Sequence, residues 1–377
     1  MAFTGKATYD GGATLPEIAE DVSDLVAIAS PHDTPLLEAL GEAKRPARST
    51  IHEWLEDTLL PNFGVVDGDD GSSTITVEYA AIFRVGDQLR LDGSDAMYQV
   101  TAVDTATDEL TVTRGFAGSP SVTAQSGDVL HIVGNAALEG ADAEAARFTA
   151  RTRKSNVTQI FAATVEVSGS ELAVNQLGIR DELDYQKAQR LRELMRDLEN
   201  SVINGYGTGS VGSDTTRRSF KGLRQSIATN IFKPGVSGFP ADTALTEAQL
   251  NQALRTVWES SAGNVDLIVV GGTEKRQINS FMTANRQFAA GAETFKDRVA
   301  TYESDFGECK VVLSRWVPSG SALLLDSSRI DVLPLAGRSF HYKPLARTGD
   351  KESGQILGEY TVEIRNENAH GVITGLG

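Results

Sequence analysis

The sequence predicts an α+β fold that combines a long helix, a compact α/β unit and a small all-β domain. Residues 178–204 contain no internal glycine or proline and carry leucines at helical spacing, which is typical of an amphipathic helix. Five short β-type runs alternate with turn residues between positions 78 and 135, which indicates an all-β domain. Helix and strand patterns then alternate from about residue 245 to residue 325.

The first 50 residues are predicted to be an N-terminal arm. Three prolines among the first 35 residues fix φ and keep the chain extended between contacts. Leu15, Ile18 and Val22 recur at helical spacing, but so short a turn, ringed by acidic residues, buries little apolar surface alone. We therefore expect the arm to dock on another surface.

A strand and a β domain are predicted next. Residues 50–57 alternate apolar and polar side chains and predict a strand that enters a loop. The five runs that follow predict a small antiparallel barrel or sandwich, inserted as a self-contained domain at 78–135. They begin at Phe83, Leu89, Tyr98, Leu110 and Val129. Residues 157–167 are a further β-rich segment, which we expect to return antiparallel to the strand near Trp54.

The helix predicted over 178–204 is the clearest element, with a length of about 38 Å. Its apolar stripe consists of Leu183, Leu191, Leu194, Leu198 and Val202. Charged residues three positions apart are expected to pair along its exposed side, as Asp184 with Lys187, Arg190 with Glu193, Glu193 with Arg196 and Arg196 with Glu199. Asn204 and Gly205 form a helix stop signal.

The α/β unit follows this helix. Its predicted helices lie at 245–260 and 274–282, and its predicted strands at 266–270, 310–313 and 322–325. A final strand is predicted at 358–366, where apolar and polar residues alternate.

The composition excludes several classes of protein. The 377 residues carry a formal net charge of −16, whereas a nucleic-acid reader needs a basic face. The single cysteine, Cys309, rules out an intrachain disulfide framework and a thiolate zinc site. No stretch approaches the roughly 20 apolar residues of a membrane helix, so we expect no membrane contact. The first residues lack the apolar core of a signal peptide, so we expect a protein made and kept in a cytosol.

The negative charge is confined to one part of the chain. Residues 1–146 hold 7 basic and 25 acidic side chains, and residues 147–377 hold 28 basic and 26 acidic ones. Such asymmetry indicates that two parts of a chain face different surroundings, although a merely well-solvated surface explains it equally well. On the first interpretation the β insertion projects outward as a solvated knob.

Motifs for catalysis or cofactor binding are absent from the sequence. Gly205, Gly207 and Gly209 follow a helix instead of linking a strand to one, so they indicate a flexible turn and not a dinucleotide loop. There is no Walker-type loop and no nucleophile elbow, and the five histidines show no metal-binding spacing. Cys309 precedes a β run, where we expect a buried, inert thiol. We therefore predict no catalytic residue, no cofactor and no metal site.

One acidic run leaves a binding function open. Asp67, Asp69 and Glu78 occupy positions 1, 3 and 12 of a calcium-type loop, but Ser72 stands where that loop requires glycine. A solvated acidic turn is the alternative. A carbohydrate- or cation-binding protein that uses the β insertion is therefore a second functional hypothesis.

Two sets of motifs, near the beginning and near the end of the chain, are more specific than any single short motif. The first set is Ser30-Pro31-x-Asp33-Thr34-Pro35-Leu36-Leu37 followed by His52-Glu53-Trp54-Leu55-Glu56-Asp57. The second set is Tyr302-x-Ser304-Asp305-Phe306-Gly307, Leu345-Ala346-Arg347-Thr348-Gly349-Asp350 and Glu363-x-Arg365-Asn366-Glu367-Asn368-Ala369-His370-Gly371. In this order they resemble the signatures of tailed-phage major capsid proteins with the Hong Kong 97-type fold, in the group that carries a β-rich insertion.

This resemblance implies four parts of the fold. They are an N-terminal arm at 1–50, an extended E-loop region at 51–165 with the insertion at 78–135, a P-domain at 166–205 and 341–377 with its spine helix at 178–204, and an A-domain at 206–340. It also implies a non-enzymatic subunit that self-assembles into the icosahedral head shell of a tailed bacteriophage around double-stranded DNA, without sequence-specific binding. The alternative within the same fold is an encapsulin-like shell of a protein nanocompartment.

The resemblance further implies contacts with other copies in hexamers and pentamers. The arm and the E-loop are expected to bury their apolar sides on neighbours, and the candidate interface residues are Leu36, Leu37, Trp54, Leu55 and Phe161. A portal protein is an expected partner, and scaffolding and decoration proteins are further candidates. The segment before Ile28 is too short for a sizeable internal scaffolding domain, so we expect a separate scaffold or none. The expected location is the virion, after assembly in the host cytoplasm.

Overall fold

The computed structural model describes residues 34–41, 45–140, 147–173, 182–261, 263–285, 301–346 and 349–377. They form two compact units. The insertion unit comprises residues 55–152, and the main unit comprises the described residues before 55 and after 152. Most of the predicted arm, at 1–33, and the first four residues of the predicted spine helix lie outside the described residues.

The described residues form both helices and strands. The helices are α1 (Pro35–Leu40), α2 (Gly169–Ala173), α3 (Glu182–Asn204), α4 (Leu223–Ser226), α5 (Glu247–Ser260) and α6 (Gly272–Asn285). The strands are β1 (Ile51–Glu56), β2 (Phe63–Asp69), β3 (Thr74–Val77), β4 (Asp87–Leu91), β5 (Met97–Asp104), β6 (Glu109–Arg114), β7 (Val129–Asn135), β8 (Thr152–Val157), β9 (Gln159–Ser168), β10 (Ile231–Phe232), β11 (Leu267–Val270), β12 (Thr301–Ser304), β13 (Gly307–Leu313), β14 (Ser321–Leu325), β15 (Ile330–Pro334), β16 (His341–Pro344), β17 (Lys351–Ile364) and β18 (Gly371–Thr374). None of these helices has the length and apolar character needed to cross a bilayer.

The insertion unit contains a closed barrel. Its strands follow the order β2, β3, β6, β5, β4 and β7, and every neighbouring pair is antiparallel. Alternate side chains point inward and fill the interior with an apolar core. The largest fully buried members of this core are Ile75, Leu89, Tyr98, Leu110 and Leu130.

The barrel is larger than the domain predicted at 78–135. It begins at Phe63, so that β2 and β3 precede the predicted start. The run from Asp67 to Gly71 is acidic and contains glycine, which is the composition of a turn and conceals the strand. Its first three residues nevertheless form the end of β2. The run at Phe83, predicted as a strand, instead follows a 3-10 turn at Ala80–Ile82.

The main unit contains a six-stranded sheet. Its strand order is β10, β18, β14, β11, β13 and β12, and the β10–β18 and β11–β13 pairs are parallel while the others are antiparallel. Leu267 and Val269 of β11 belong to one apolar cluster, and Ile268 and Val270 belong to another. Both faces of the sheet are therefore covered, which explains the continuous apolar runs of β11 and β14.

A second sheet in the main unit is organised around the long strand β17. One edge of β17 pairs with β9 over Lys351 to Tyr360, and its other edge pairs with β15 and β16. These sheets cross the predicted domain limits, because β15 of the predicted A-domain joins β17, whereas β18 of the predicted P-domain joins β10 and β14. Strand partners so far apart in sequence leave no local signal of their pairing.

The predicted spine helix corresponds to α3, and most of its apolar stripe faces the core. Leu194, Leu198 and Val202 are buried, whereas Leu191 is 37% exposed. Glu199, predicted to form an exposed ion pair with Arg196, is fully buried instead. Two of the four predicted pairs form, Lys187 with Asp184 at 2.8 Å and Arg190 with Glu193 at 2.6 Å.

Candidate assembly interface

The N-terminal helix α1 is fastened to the spine helix by a buried carboxylate. Glu199 accepts hydrogen bonds from the backbone N–H groups of Leu36, at 3.2 Å, and Leu37, at 3.1 Å. The hydroxyl of Ser314, after β13, also donates to Glu199 at 3.2 Å. Thr34 makes no side-chain capping bond, so the carboxylate of another helix satisfies the first donors of α1.

A second buried carboxylate holds the chain that leads into β1. Glu363 of β17 accepts two hydrogen bonds from the guanidinium of Arg45, both at 2.9 Å, and lies 2.6 Å from Nε2 of His52. Burial alone would raise the pKa of Glu363, but the hydrogen bond to His52 and the positive charge of Arg45 outweigh it and lower that pKa. The carboxylate therefore stays ionised and fixes the start of β1 on the sheet.

A third polar anchor holds the junction between β8 and β9. The amide of Asn156 donates to the carbonyl oxygens of Lys221, at 3.0 Å, and Val362, at 2.8 Å. Thr158 donates to the buried carboxylate of Glu359 at 2.5 Å, and an ion pair joins that carboxylate to Arg338 at 2.8 Å. Because β1 and β8 pair with each other, these contacts fix both strands where the chain leaves the main unit.

The five predicted interface residues occupy different environments. Leu36 is fully buried and Phe161 is 6% exposed, so both contribute to the core of their own subunit. Phe161 packs against the rings of Phe220, Phe340 and Tyr360. Leu37 and Trp54 are half-buried. Leu55, which is 60% exposed, is the one of the five that presents a large apolar surface to solvent.

Apolar side chains more exposed than Leu55 lie elsewhere in the insertion unit, on the two segments that flank the barrel in sequence. Leu59 is 93% exposed, Leu138 is 83% exposed and Phe148 is 89% exposed. The two segments are joined by Asp57, which accepts a hydrogen bond from Thr149 at 3.2 Å. These residues were not predicted from the sequence, although each is a large apolar side chain outside any periodic pattern.

The candidate calcium loop is engaged in an internal ion pair instead. Asp69 binds the guanidinium of Arg114 and accepts backbone hydrogen bonds from Gly71, at 2.9 Å, and Ala124, at 2.8 Å. Burial raises the pKa of Asp69, but the hydrogen bonds from Arg114 and the backbone outweigh that effect and lower it. Arg114 also lies over the ring of Tyr98 at 5.6 Å. The acidic run therefore stabilises the barrel.

Groups with metal-binding or nucleophilic chemistry do not converge within the described residues. No cluster of three or more His, Cys, Asp or Glu side chains there has the arrangement of a metal site. Cys309 is buried and donates its S–H to the carbonyl oxygen of Val265, and burial raises its pKa to about 12. The thiol is therefore protonated and inert at neutral pH.

The comparison with protein families decides among the functional hypotheses. The family model described as the SU10 major capsid protein matches residues 3–377 of this chain. The chain belongs to the SU10 major capsid protein family. It is a phage major capsid protein that forms the capsid shell, as the motif resemblance predicted, and the encapsulin-like alternative is not favoured.

Relatives and solved structures agree with this assignment. The chain is 36% identical to the major capsid protein of Escherichia phage Phieco32 over 286 aligned residues, which cover 63% of this chain and 80% of that protein. Its fold is similar to the capsid asymmetric unit of cyanophage A-1(L), with a TM-score of 0.56, 12% identity and coverage of 96% and 98% of the two chains. It is also similar to the capsid of a native GTA particle, with a TM-score of 0.52, 11% identity and full coverage of both chains. The fold of this capsid protein is the Hong Kong 97-type fold.

Proposed function

We propose that this capsid protein closes an icosahedral head shell around double-stranded DNA, and that apolar segments of the insertion unit seal contacts between copies. The shell is built from hexamers and pentamers, assembles in the host cytoplasm and catalyses no reaction. A portal protein occupies one vertex in this proposal. Scaffolding and decoration proteins are further partners in this proposal.

One observation carries the proposal about the contacts. Leu59, Leu138 and Phe148 are each more than four-fifths exposed, at 93%, 83% and 89%, although each is large and apolar. Leu59 and Phe148 lie on segments that the hydrogen bond between Thr149 and Asp57 joins, and large apolar side chains so exposed on joined segments are typical of an interaction site. Because the family builds shells from many copies of one chain, the partner that we propose for these side chains is an adjacent subunit.

We propose a role for each part of the chain from the contacts that hold it in place. Residues 1–50 act as the arm, 51–165 as the E-loop region with its barrel, 166–205 and 341–377 as the P-domain, and 206–340 as the A-domain. The contacts of Glu199, Asn156 and Glu363 support the first two parts of this division, because they fix α1 and the base of the E-loop region on the main unit. Strands β15 and β18 join sheets across the limits between the P-domain and the A-domain. Leu55, Trp54 and Leu37 remain proposed interface residues, whereas Leu36 and Phe161 are proposed to act only within the subunit.

The charge supports enclosure of DNA without tight binding. The chain carries a formal net charge of −16, which disfavours a strong, nonspecific grip on a phosphate backbone. Residues 147–377 hold 28 basic and 26 acidic side chains, and a nearly neutral wall of this kind contains a genome without immobilising it. We therefore propose that DNA is held by confinement and not by sequence-specific contacts.

The proposal is tested by Phe148→Asp and Leu59→Asp, with Thr105→Asp, in an exposed turn of the barrel, as the matched control. We expect both apolar-site variants to remain unassembled in sedimentation velocity experiments, while their circular dichroism spectra match that of the wild type. The control variant should form large closed particles. If both variants assemble as the wild type does, these segments do not seal the shell.

A further inference from the structure

A cavity of about 790 Å³ opens in the main unit between the start of β9 and the loop that follows α3. It is lined by Gln159 and Ile160 on one side and by residues 211–218 on the other. Cavities of this volume hold a ligand or several side chains of a bound segment. The cavity therefore has room for one turn of a docked peptide.

The lining determines the chemistry of the occupant. Ile160 and Val211 expose 47% and 55% of their surfaces, so the cavity has an apolar part. Arg217 is exposed and has no ion-pair partner among the residues that the structure describes, whereas Arg218 is held by the buried Glu359. Asp214 is the single carboxylate of the lining. Arg217 and Asp214 cancel in net charge, so an occupant that matches this surface presents apolar side chains and places a carboxylate at Arg217.

The chain itself carries such a segment before its first described residue. From residue 10 to residue 26 there are five carboxylates and no basic side chain. Leu15, Ile18 and Val22 recur at i, i+3 and i+7, which is the spacing of anchors that bind a groove as a helix. The twelve residues from Val22 to Thr34 span up to about 40 Å when fully extended. The segment is therefore long enough to reach a site beyond its point of attachment.

We propose that residues 10–26 dock in this cavity, with their apolar side chains against Ile160 and Val211 and their carboxylates toward Arg217. This inference rests on the proposed function in one respect. In a shell, residues 10–26 of an adjacent copy also come within reach of the cavity. A DNA backbone matches the cavity less well, because phosphate groups leave Ile160 and Val211 without an apolar partner.

The test is disulfide trapping in the full chain. Ile18→Cys is combined with Val211→Cys, and in a matched control it is combined with Thr105→Cys in an exposed barrel turn. The native Cys309 is buried and does not compete. Under mild oxidation we expect at least a fivefold higher yield for the Val211 pair, as a looped monomer or a covalent dimer. Equal yields for the two pairs would overturn the proposal.

A charge reversal tests the role of Arg217. Arg217→Glu should lower the trapping yield at least fivefold, whereas Arg276→Glu, an exposed position on α6, should leave it unchanged. The proposal is overturned if the two reversals act alike, or if a short DNA duplex abolishes trapping and protects the cavity in the same way. The reaction is run on unassembled chain and on particles. Failure to form particles contradicts the proposed function, whereas failure of trapping in both samples contradicts this inference alone.

Discussion

Leu36 and Glu199 lie 163 positions apart in sequence, yet the backbone N–H of Leu36 donates a 3.2 Å hydrogen bond to the carboxylate of Glu199. Leu36 is fully buried, and so is Glu199. The bond therefore joins the N-terminal helix to the spine helix inside the core, where water does not replace a lost partner. This contact fixes the helix α1 on the main unit.

Glu199→Gln is expected to lower the free energy of unfolding by about 2 kcal/mol, because the amide retains one acceptor and presents a donor to N–H groups. Asp197→Asn, at a half-exposed position of the same helix, is the control and should change it by less than about 0.5 kcal/mol. Urea titration followed by circular dichroism measures both values. Equal effects of the two substitutions would show that the buried carboxylate of Glu199 contributes no more to the free energy of unfolding than the exposed one of Asp197.

The barrel is expected to fold in isolation when all six strands are present. A fragment of residues 63–135 contains the closed barrel and its core, whereas a fragment of residues 78–135 lacks β2 and β3 and leaves the barrel open. The longer fragment should give a dispersed amide NMR spectrum and a cooperative thermal transition. The shorter one should give neither, and a folded short fragment would contradict the role assigned to β2 and β3.

Arg114→Met is expected to destabilise the barrel by about 3 kcal/mol, because it leaves the buried Asp69 carboxylate without its counter-ion. Arg90→Met, at an exposed position of β4, is the matched control and should have little effect. The lowered pKa of Asp69 also predicts a pH dependence. Its stabilising contribution is present above the ordinary aspartate pKa and is lost as pH falls through the lowered value, so the two proteins should converge in stability in acid.

A buried histidine should make the subunit sensitive to mild acid. Nδ1 of His370 accepts a hydrogen bond from the backbone N–H of Asp326 at 3.1 Å, and burial lowers the pKa of His370 to about 4, against the opposing charge of Asp326. The unfolded chain binds a proton near pH 6.5, so stability falls between pH 6.5 and pH 4, by about 3 kcal/mol in total. His370→Asn keeps an acceptor without the titration. Urea titrations at several pH values should show a shallower slope for this variant, and an unchanged slope would exclude His370 as the source.

The sequence predicted the elements whose pattern is local. The spine helix α3, the helix α5 and the strands β11 and β14 were all recognised, because each carries a periodic or continuous apolar run. The strand β17 was recognised only from residue 358, although it begins at Lys351. Its first half contains charged residues and glycine, and it is a strand because β9 pairs with it along ten residues.

The anchors of the candidate interface were not predictable in the same way. Glu199, Glu359 and Glu363 are glutamates, which usually lie on the surface. Glu199 also follows Arg196 by three positions, which is the spacing of an exposed ion pair on a helix. Each is buried because its partners come from distant segments, such as Leu36 for Glu199 and His52 for Glu363. When a carboxylate is buried against a partner that is distant in sequence, the residues next to it in sequence do not reveal the burial.

In the proposed shell, neighbouring copies of this chain cover its exposed apolar segments. Cryo-electron microscopy of particles formed by the purified full chain, alone or with a scaffold, tests it most directly. We expect closed shells in which adjacent subunits cover Leu59, Leu138 and Phe148. Folded monomers under every assembly condition, or shells in which these three side chains face solvent, would show that neighbouring copies do not close the shell in this way.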